Sequence, residues 1–331
     1  MKGLHTLTFD PAAFSDEERV FAWMRFFSKI SAIVPLPADP FLPRASVWIA
    51  ERVTFTYAKN HPQYHESEAA AGFNLEQRDQ ILAFTCTKGL GQYLHDGEIF
   101  SIRPGDVFLM DVARDVRVFM TDAEMYSVVV PHSSVGYQPD AHAAHALFRA
   151  PSPTATVFRD WVFSKFPAFP ETSRSAAPEV ALSAKTLIRD MLDAANAQSD
   201  TPPTFSERII DYVDEHMFEI DLTPDTLMRT FELSRAKLYE LSGFSNGLDA
   251  YVSAARLEYA LRSLVYGPKT PHRLEWVAER LNYPSVSAFS GAFTAQFGFS
   301  PDLVIGLLTR ARPEPANKLW DTWLSDDQGA L

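Results

Sequence analysis

The 331-residue chain has one cysteine, Cys86, so it cannot build an intrachain disulfide framework or a cysteine-cluster metal site. No run approaches eighteen consecutive apolar residues, too short for a helical membrane span. The first ten residues, MKGLHTLTFD, carry an acid and no apolar core segment, unlike a secretory leader. No P-loop or dinucleotide fingerprint occurs, and these are among the local motifs that would announce an enzyme. Basic residues are also short, 30 against 42 acidic ones, for a net charge of −12. Taken alone, that weighs against a polyanionic partner, because phosphate contacts dominate affinity for nucleic acid. What is present is material for folded cores: 46% hydrophobic and 13% aromatic residues. The expectation is a soluble protein of about two domains in a reducing, cytoplasmic compartment, with no cofactor and no metal.

The negative charge is unevenly placed. Residues 1–200 hold 18 basic and 24 acidic side chains, residues 201–312 hold 11 and 14, and residues 313–331 hold 1 and 4. Six acids crowd one stretch, Glu207, Asp211, Asp214, Glu215, Glu219 and Asp221, and beyond it residues 222–312 carry 10 basic against 8 acidic side chains. The acidic stretch reads as a solvated helix face, and the segment beyond it is mildly cationic.

The first half is β-rich. Runs at Ala45–Tyr57, Ile81–Thr87, Gly91–His95, Glu98–Ile102, Asp106–Asp111, Val116–Met120 and Met125–Val130 favour β-branched and aromatic residues, and turn signals such as Asp96-Gly97 and Pro104-Gly105 separate several of them. Short, closely spaced strands suggest an antiparallel sandwich or barrel, with a helix over about Asp16–Ser31 outside it. Leu182–Ala197 places Leu182, Leu187, Ile188, Met191 and Leu192 near one helical stripe, which either packs on the first domain or pairs with a second copy. Polar residues 196–204, with two prolines, read as a linker.

From Phe205 the pattern is helical and faintly repeated. The first unit comprises Phe205–His216, Thr223–Phe231 and Ser234–Gly243; a long helix follows at about Gly247–Val265. A second unit has Pro271–Leu281, Ser285–Phe297 and a closing helix from Pro301. Thr223-Pro224, Ser234 and Ser300-Pro301 supply start signals. Each unit reads as a helix–turn–helix with small or apolar residues facing inward. A 19-residue connecting helix spans about 28 Å at 1.5 Å per residue, close to the roughly 34 Å between successive major-groove faces. Two such units on one strut point to a reader of two adjacent groove segments.

These residues resemble the AraC/XylS-type transcription regulators. The likeness rests on Leu222–Tyr239, on Tyr251, Ala255-Arg256-Leu257, Ala260 and Leu264, and on Trp276–Leu281 followed by Ser287-Ala-Phe-Ser-Gly-Ala-Phe and Phe297-Gly-Phe-Ser-Pro301. It covers about residues 205–312. The first half, with Gly97 and the Arg103-Pro-Gly-Asp106 turn, looks like the cupin-type effector-sensing domain of such regulators. The resemblance implies an α+β two-domain fold. Residues 1–195 would be a cupin-like antiparallel β-barrel or sandwich with flanking helices that senses an effector and forms a homodimer. Residues 196–204 would be the linker, 205–312 an all-α double helix–turn–helix that binds double-stranded operator DNA, and 313–331 a tail. RNA polymerase is a further partner if the outcome is activation.

Carried over by position, Arg235, Ala236, Tyr239 and Glu240 face the groove from the first reading helix, and Val286, Ser287, Ser290 and Gly291 from the second. Lys237 is a further base or phosphate contact and Arg273 a candidate phosphate contact, whereas Arg256 reads as a brace for the long helix. Three positions depart from the family: a basic residue is usual where Glu240 and Gly291 stand, and a glycine where Asn282 stands. Glu240 repels phosphate yet can accept from a cytosine amino group. The second helix has no basic residue, so it would work through hydroxyls, main-chain N–H groups and contact with thymine methyls. Two alternatives remain open at this point: a helical association module whose DNA contacts have decayed, and a cupin-type enzyme with a helical appendage. Against the enzyme, the H-x-H with following Glu of metal-binding cupins is absent, and His61-x3-His65 has no evident third ligand. His95 falls at a strand end, while His132, His142 and His145 read as loop or surface residues. The barrel reads as a binding cup for a small effector, lined by Tyr57, Phe84, Tyr93 and Phe108, with Phe100 and Phe119 as further aromatic candidates.

Overall fold

The computed structural model describes residues 4–27, 32–67, 79–95, 97–198, 204–219, 222–242, 244, 246–267 and 270–310. The tail from residue 313 and the centre of the expected linker lie outside these. In chain order the first half comprises β1 (His5–Phe9), α1 (Asp16–Phe27), β2 (Ala32–Pro35), β3 (Arg44–Ala50), β4 (Val53–Asn60), β5 (Gln63–Ser67), β6 (Gln80–Lys88) and β7 (Gly91–His95). It continues with β8 (Glu98–Ile102), β9 (Val107–Asp111), β10 (Val116–Met120), β11 (Ala123–Pro131), α2 (His132–Val135), β12 (His145–Phe148), α3 (Pro153–Lys165) and α4 (Ala177–Gln198). The second half is helical: α5 (Phe205–His216), α6 (Pro224–Phe231), α7 (Arg235–Ser242), α8 (Leu248–Tyr266), α9 (Arg273–Arg280), α10 (Val286–Phe297) and α11 (Pro301–Arg310). The α+β class expected from the sequence is the one observed.

Two antiparallel sheets face each other, one of seven strands in the order β1-β3-β4-β11-β6-β9-β12 and one of five in the order β2-β5-β10-β7-β8. Strand alternation sorts the side chains. On β6 and β9, Phe84, Phe108 and Met110 point between the sheets, where they meet Tyr93, Ile102, Val116, Val118 and Met120. Ile81, Ala83, Val107 and Leu109 point the other way, under α3 and α4. The helical stripe on α4 thus packs on its own sheet: Leu187, Ile188, Met191 and Leu192 are buried there. Leu182 does not join them and is 65% exposed. The apolar run expected as one strand over Ala45–Tyr57 is a hairpin. Glu51 and Arg52 both take positive φ (48° and 67°) and turn the chain between β3 and β4, a two-residue reversal without the usual Asn or Gly.

The helical half has two cores on one strut. Leu248, Val252 and Ala255 of α8 pack with Ile209, Val213, Leu227 and Leu238. Leu257, Ala260, Leu261 and Leu264, further along, pack with Val277, Ala278, Phe289, Phe293 and Val304. The second core does not stop at the helices, because Leu36, Tyr64, Leu90 and Phe119 of the first half belong to it.

Candidate nucleic-acid interface

The first helix–turn–helix is set by its caps. Thr223 Oγ1 accepts from Thr226 N–H at 3.2 Å with Pro224 at the first helical position, and α6 stops at Glu232, whose φ of 54° is left-handed. Ser234 Oγ then accepts from Lys237 N–H at 3.3 Å to start α7. Leu238 is buried toward the strut, which turns Arg235, Ala236, Lys237 and Glu240 to solvent and leaves Tyr239 half-buried. The Lys237 ammonium donates to Glu240 Oε1 at 2.8 Å, so the acid at the position where a base is usual is tied to the helix's own cation.

The second unit repeats the logic with different chemistry. α9 ends at Leu281, and Asn282, at φ 57°, turns the chain. Ser285 Oγ accepts from Ala288 N–H at 3.1 Å to cap α10. Phe289 and Phe293 anchor α10 inward, Ser287 and Gly291 are exposed, and Val286 and Ser290 are half-buried. No charged side chain occurs on this helix. A Cβ added at Gly291 meets nothing within 4 Å, so its lack of a side chain is not forced by packing.

Arg273 is the exception among the expected contacts. It is 6% exposed, and its guanidinium donates to Leu264 O at 2.8 Å and to Gly267 O, carbonyls at the end of α8. It therefore closes a helix terminus inside the fold instead of reaching phosphate. Arg256 does brace the strut: its Nε donates to Met217 O at 2.6 Å, joining α8 to the chain just after α5.

Inside the barrel, Phe84, Tyr93 and Phe108 come together, with ring centroids 5.1 to 5.9 Å apart, and Phe100 joins them at 5.0 Å from Phe108. Tyr57 does not. Strand alternation places it on the helix-covered face against Tyr126, where its hydroxyl donates to Glu124 Oε1 at 2.9 Å. Burial, then that carboxylate, push its phenol up to about 12. Phe119 also faces outward and meets Phe299 of the helical half. The His61/His65 pair does not converge on a metal. His61 Nε2 accepts from Leu42 N–H, and half-buried His65, pushed down to about 4 by desolvation, sits 2.8 Å from the Gln63 amide nitrogen.

Sequence reasoning missed the residues that join the halves. Arg103, in the Pro-Gly-Asp turn, donates through Nε to Glu258 Oε2 at 2.8 Å, and its guanidinium pairs with Asp214 at 3.1 Å. The Tyr251 hydroxyl, itself in contact with Arg103, donates to Asp214 at 2.9 Å. Asp214 therefore faces the barrel, although its acidic helix reads as wholly solvated. At the far end of α8 the Tyr266 hydroxyl lies 2.7 Å from Gln92 O and 2.9 Å from Arg117 O, on β7 and β10. No local signal announces the contacts between the halves, since their partners stand more than 100 positions apart.

The RCS-specific HTH-type transcriptional activator RclR of Escherichia coli (strain K12) is 26% identical over 221 residues, 62% of this chain and 76% of that protein. A structural neighbour is the AraC-like transcriptional activator CuxR, with 18% identity, a TM-score of 0.49, and coverage of 78% of this chain and 96% of that one. Unsaturated fatty acid-bound ToxT from Vibrio cholerae gives 12% identity and a TM-score of 0.31, with 71% and 90% covered. No family model matches the chain.

Proposed function

We propose that this chain is a sequence-specific DNA-binding transcription regulator, with residues 205–312 reading DNA and residues 1–195 sensing a small-molecule effector. The observation that carries the reading is the pair of capped helices, α7 and α10, each presenting its first turns to solvent while its inner face is anchored to the same 19-residue helix α8. The similarity to RclR, named as an HTH-type transcriptional activator, supports it. Arg235, Ala236, Lys237, Tyr239 and Glu240 would read one groove segment, and Val286, Ser287 and Ser290 the next. The effector would lie against Phe84, Tyr93 and Phe108. A homodimer in the cytoplasm, with RNA polymerase as partner if it activates, completes the proposal.

The test is a footprint on promoter DNA with titrations at several salt concentrations. Sequence-selective protection is expected, with affinity falling as salt rises. Arg235→Ala should weaken specific binding about tenfold, in the range of one base-edge or phosphate contact. A protein that protects no site, with Arg235→Ala indistinguishable from wild type, would favour the second reading, a helical association module, which the uncharged surface of α10 recommends.

A further inference from the structure

Nine histidines are present in the chain, and two of them meet across the two sheets. His95, fully buried at the end of β7, places Nδ1 3.2 Å from Nδ1 of His145 on β12. β7 belongs to the five-stranded sheet, and β12 is the outermost strand of the seven-stranded one. The outer nitrogens of the pair face acceptors: His95 Nε2 lies 3.1 Å from the main-chain carbonyl of Asp111, and His145 Nε2 lies 3.3 Å from Glu98 Oε2. His145 is therefore neither a loop residue nor freely exposed, contrary to its reading from sequence.

Counting protons decides what this row requires. A carbonyl and an ionised carboxylate only accept, so each outer contact needs an N–H on the imidazole facing it. The central contact joins two ring nitrogens, and one of those must carry a hydrogen as well. Three contacts need three protons, whereas two neutral imidazoles hold two. The row as built thus matches a pair with one extra proton, a monocation with the Glu98 carboxylate beside it. When that proton leaves, either two lone pairs face each other or one ring must turn from its acceptor. We propose that His95 and His145 share a proton and act as a pH-dependent fastener between the two sheets.

Among the described residues, the surrounding charges have partners of their own. The Asp111 carboxylate on β9 accepts from His132 Nε2 at 2.9 Å and from Ala113 N–H at 3.0 Å, and it lies 3.9 Å from Arg114. Arg149, just past β12, pairs with Asp106 at 3.2 Å, and Arg117 on β10 with Glu66 at 2.8 Å. Exposed Asp115 precedes Val116, the register partner of His95. No group of three or more His, Cys, Asp and Glu suited to a metal occurs among the described residues, so a proton suits the row better than a metal ion. The place matters because His145 packs on Phe100 at 4.6 Å and stacks over Phe108 at 6.3 Å. Phe100, with Leu147 and Arg149, also lines a cleft of about 320 Å³ against Asp211, Asp214 and Glu258 of the helical half. Loosening the fastener would uncover the barrel's aromatic cluster on the side that faces the helices.

Because the three contacts are complete only with the extra proton, their contribution to stability is present at low pH and lost as that proton leaves. The test uses the full-length protein with ¹³C-labelled histidine and compares wild type, His145→Gln and Glu98→Gln by NMR titration and thermal melts. The two rings should titrate together, as coupled sites do. The Tm advantage of wild type over His145→Gln should be larger at about pH 5 than at about pH 8 by about 2–4 °C, and Glu98→Gln should narrow it. A margin that ignores pH, or rings that titrate independently, would overturn the proposal. So would zinc added to metal-free protein moving both ring signals at the alkaline end, which would mark the pair as a metal ligand set.

Discussion

Asn282 stands where AraC-like sequences usually carry glycine, and its backbone explains the exchange. With φ at 57° the position is left-handed, and asparagine is among the side chains that tolerate that region. Asn282→Gly should leave stability within a few tenths of a kcal/mol, whereas Asn282→Ala should cost about 1 kcal/mol, both read from denaturant unfolding. A larger loss in the glycine variant would show instead that the amide makes a needed contact. Cys86 gives a second prediction at this scale. Burial first, then the nearby Asp106 carboxylate, push its thiol up to about 12, and the thiolate is the reactive form. Native protein should therefore resist a disulfide-exchange reagent, with full labelling appearing only on unfolding. Rapid labelling of folded protein would refute this and make a thiol-based signal possible.

Among the elements, α8 has most to explain, because both reading units depend on where it ends. Arg273 closes it from outside the helix, through Leu264 O and Gly267 O. Removing a buried donor from two carbonyls should cost about 1–3 kcal/mol, so Arg273→Met should lower the unfolding midpoint while the salt dependence of DNA affinity stays unchanged. A shallower salt slope would restore Arg273 as a phosphate contact. The element scale is also where the sequence was most legible. Caps such as Thr223-Pro224 and Ser285, and the spacing of Phe289 and Phe293, act within one helical turn, so they mark the helices and their outward faces. The hairpin at Glu51-Arg52 was hidden because neither residue is a usual left-handed turn former; the short edge strands β1, β2 and β12 lack a long alternating run. Tyr57 was misplaced by one face because alternation gives a period of two, and not which phase looks inward.

On the scale of the whole molecule, the barrel holds the strut at both ends, and this was invisible in the sequence because the partners are distant along the chain. The two attachments differ in kind. Tyr266 offers one hydroxyl to two main-chain carbonyls, a contact worth about 0.5–1.5 kcal/mol. Arg103 neutralises two carboxylates, Asp214 and Glu258, in a largely buried setting. Deleting one partner of such a group leaves charge uncompensated, typically at about 3–5 kcal/mol, and the loss falls on the union of the halves instead of on either core. Arg103→Met should therefore enlarge the radius of gyration in small-angle scattering and split thermal unfolding into two transitions, while Tyr266→Phe should leave a compact particle with one. Because the exposed faces of α7 and α10 ride on the strut so held, Arg103→Met should also change affinity for specific DNA, whereas Tyr266→Phe should change it little. An unchanged scattering profile for Arg103→Met would mean that the apolar contacts of Leu36, Leu90 and Phe119 suffice to hold the helices without the ionic group.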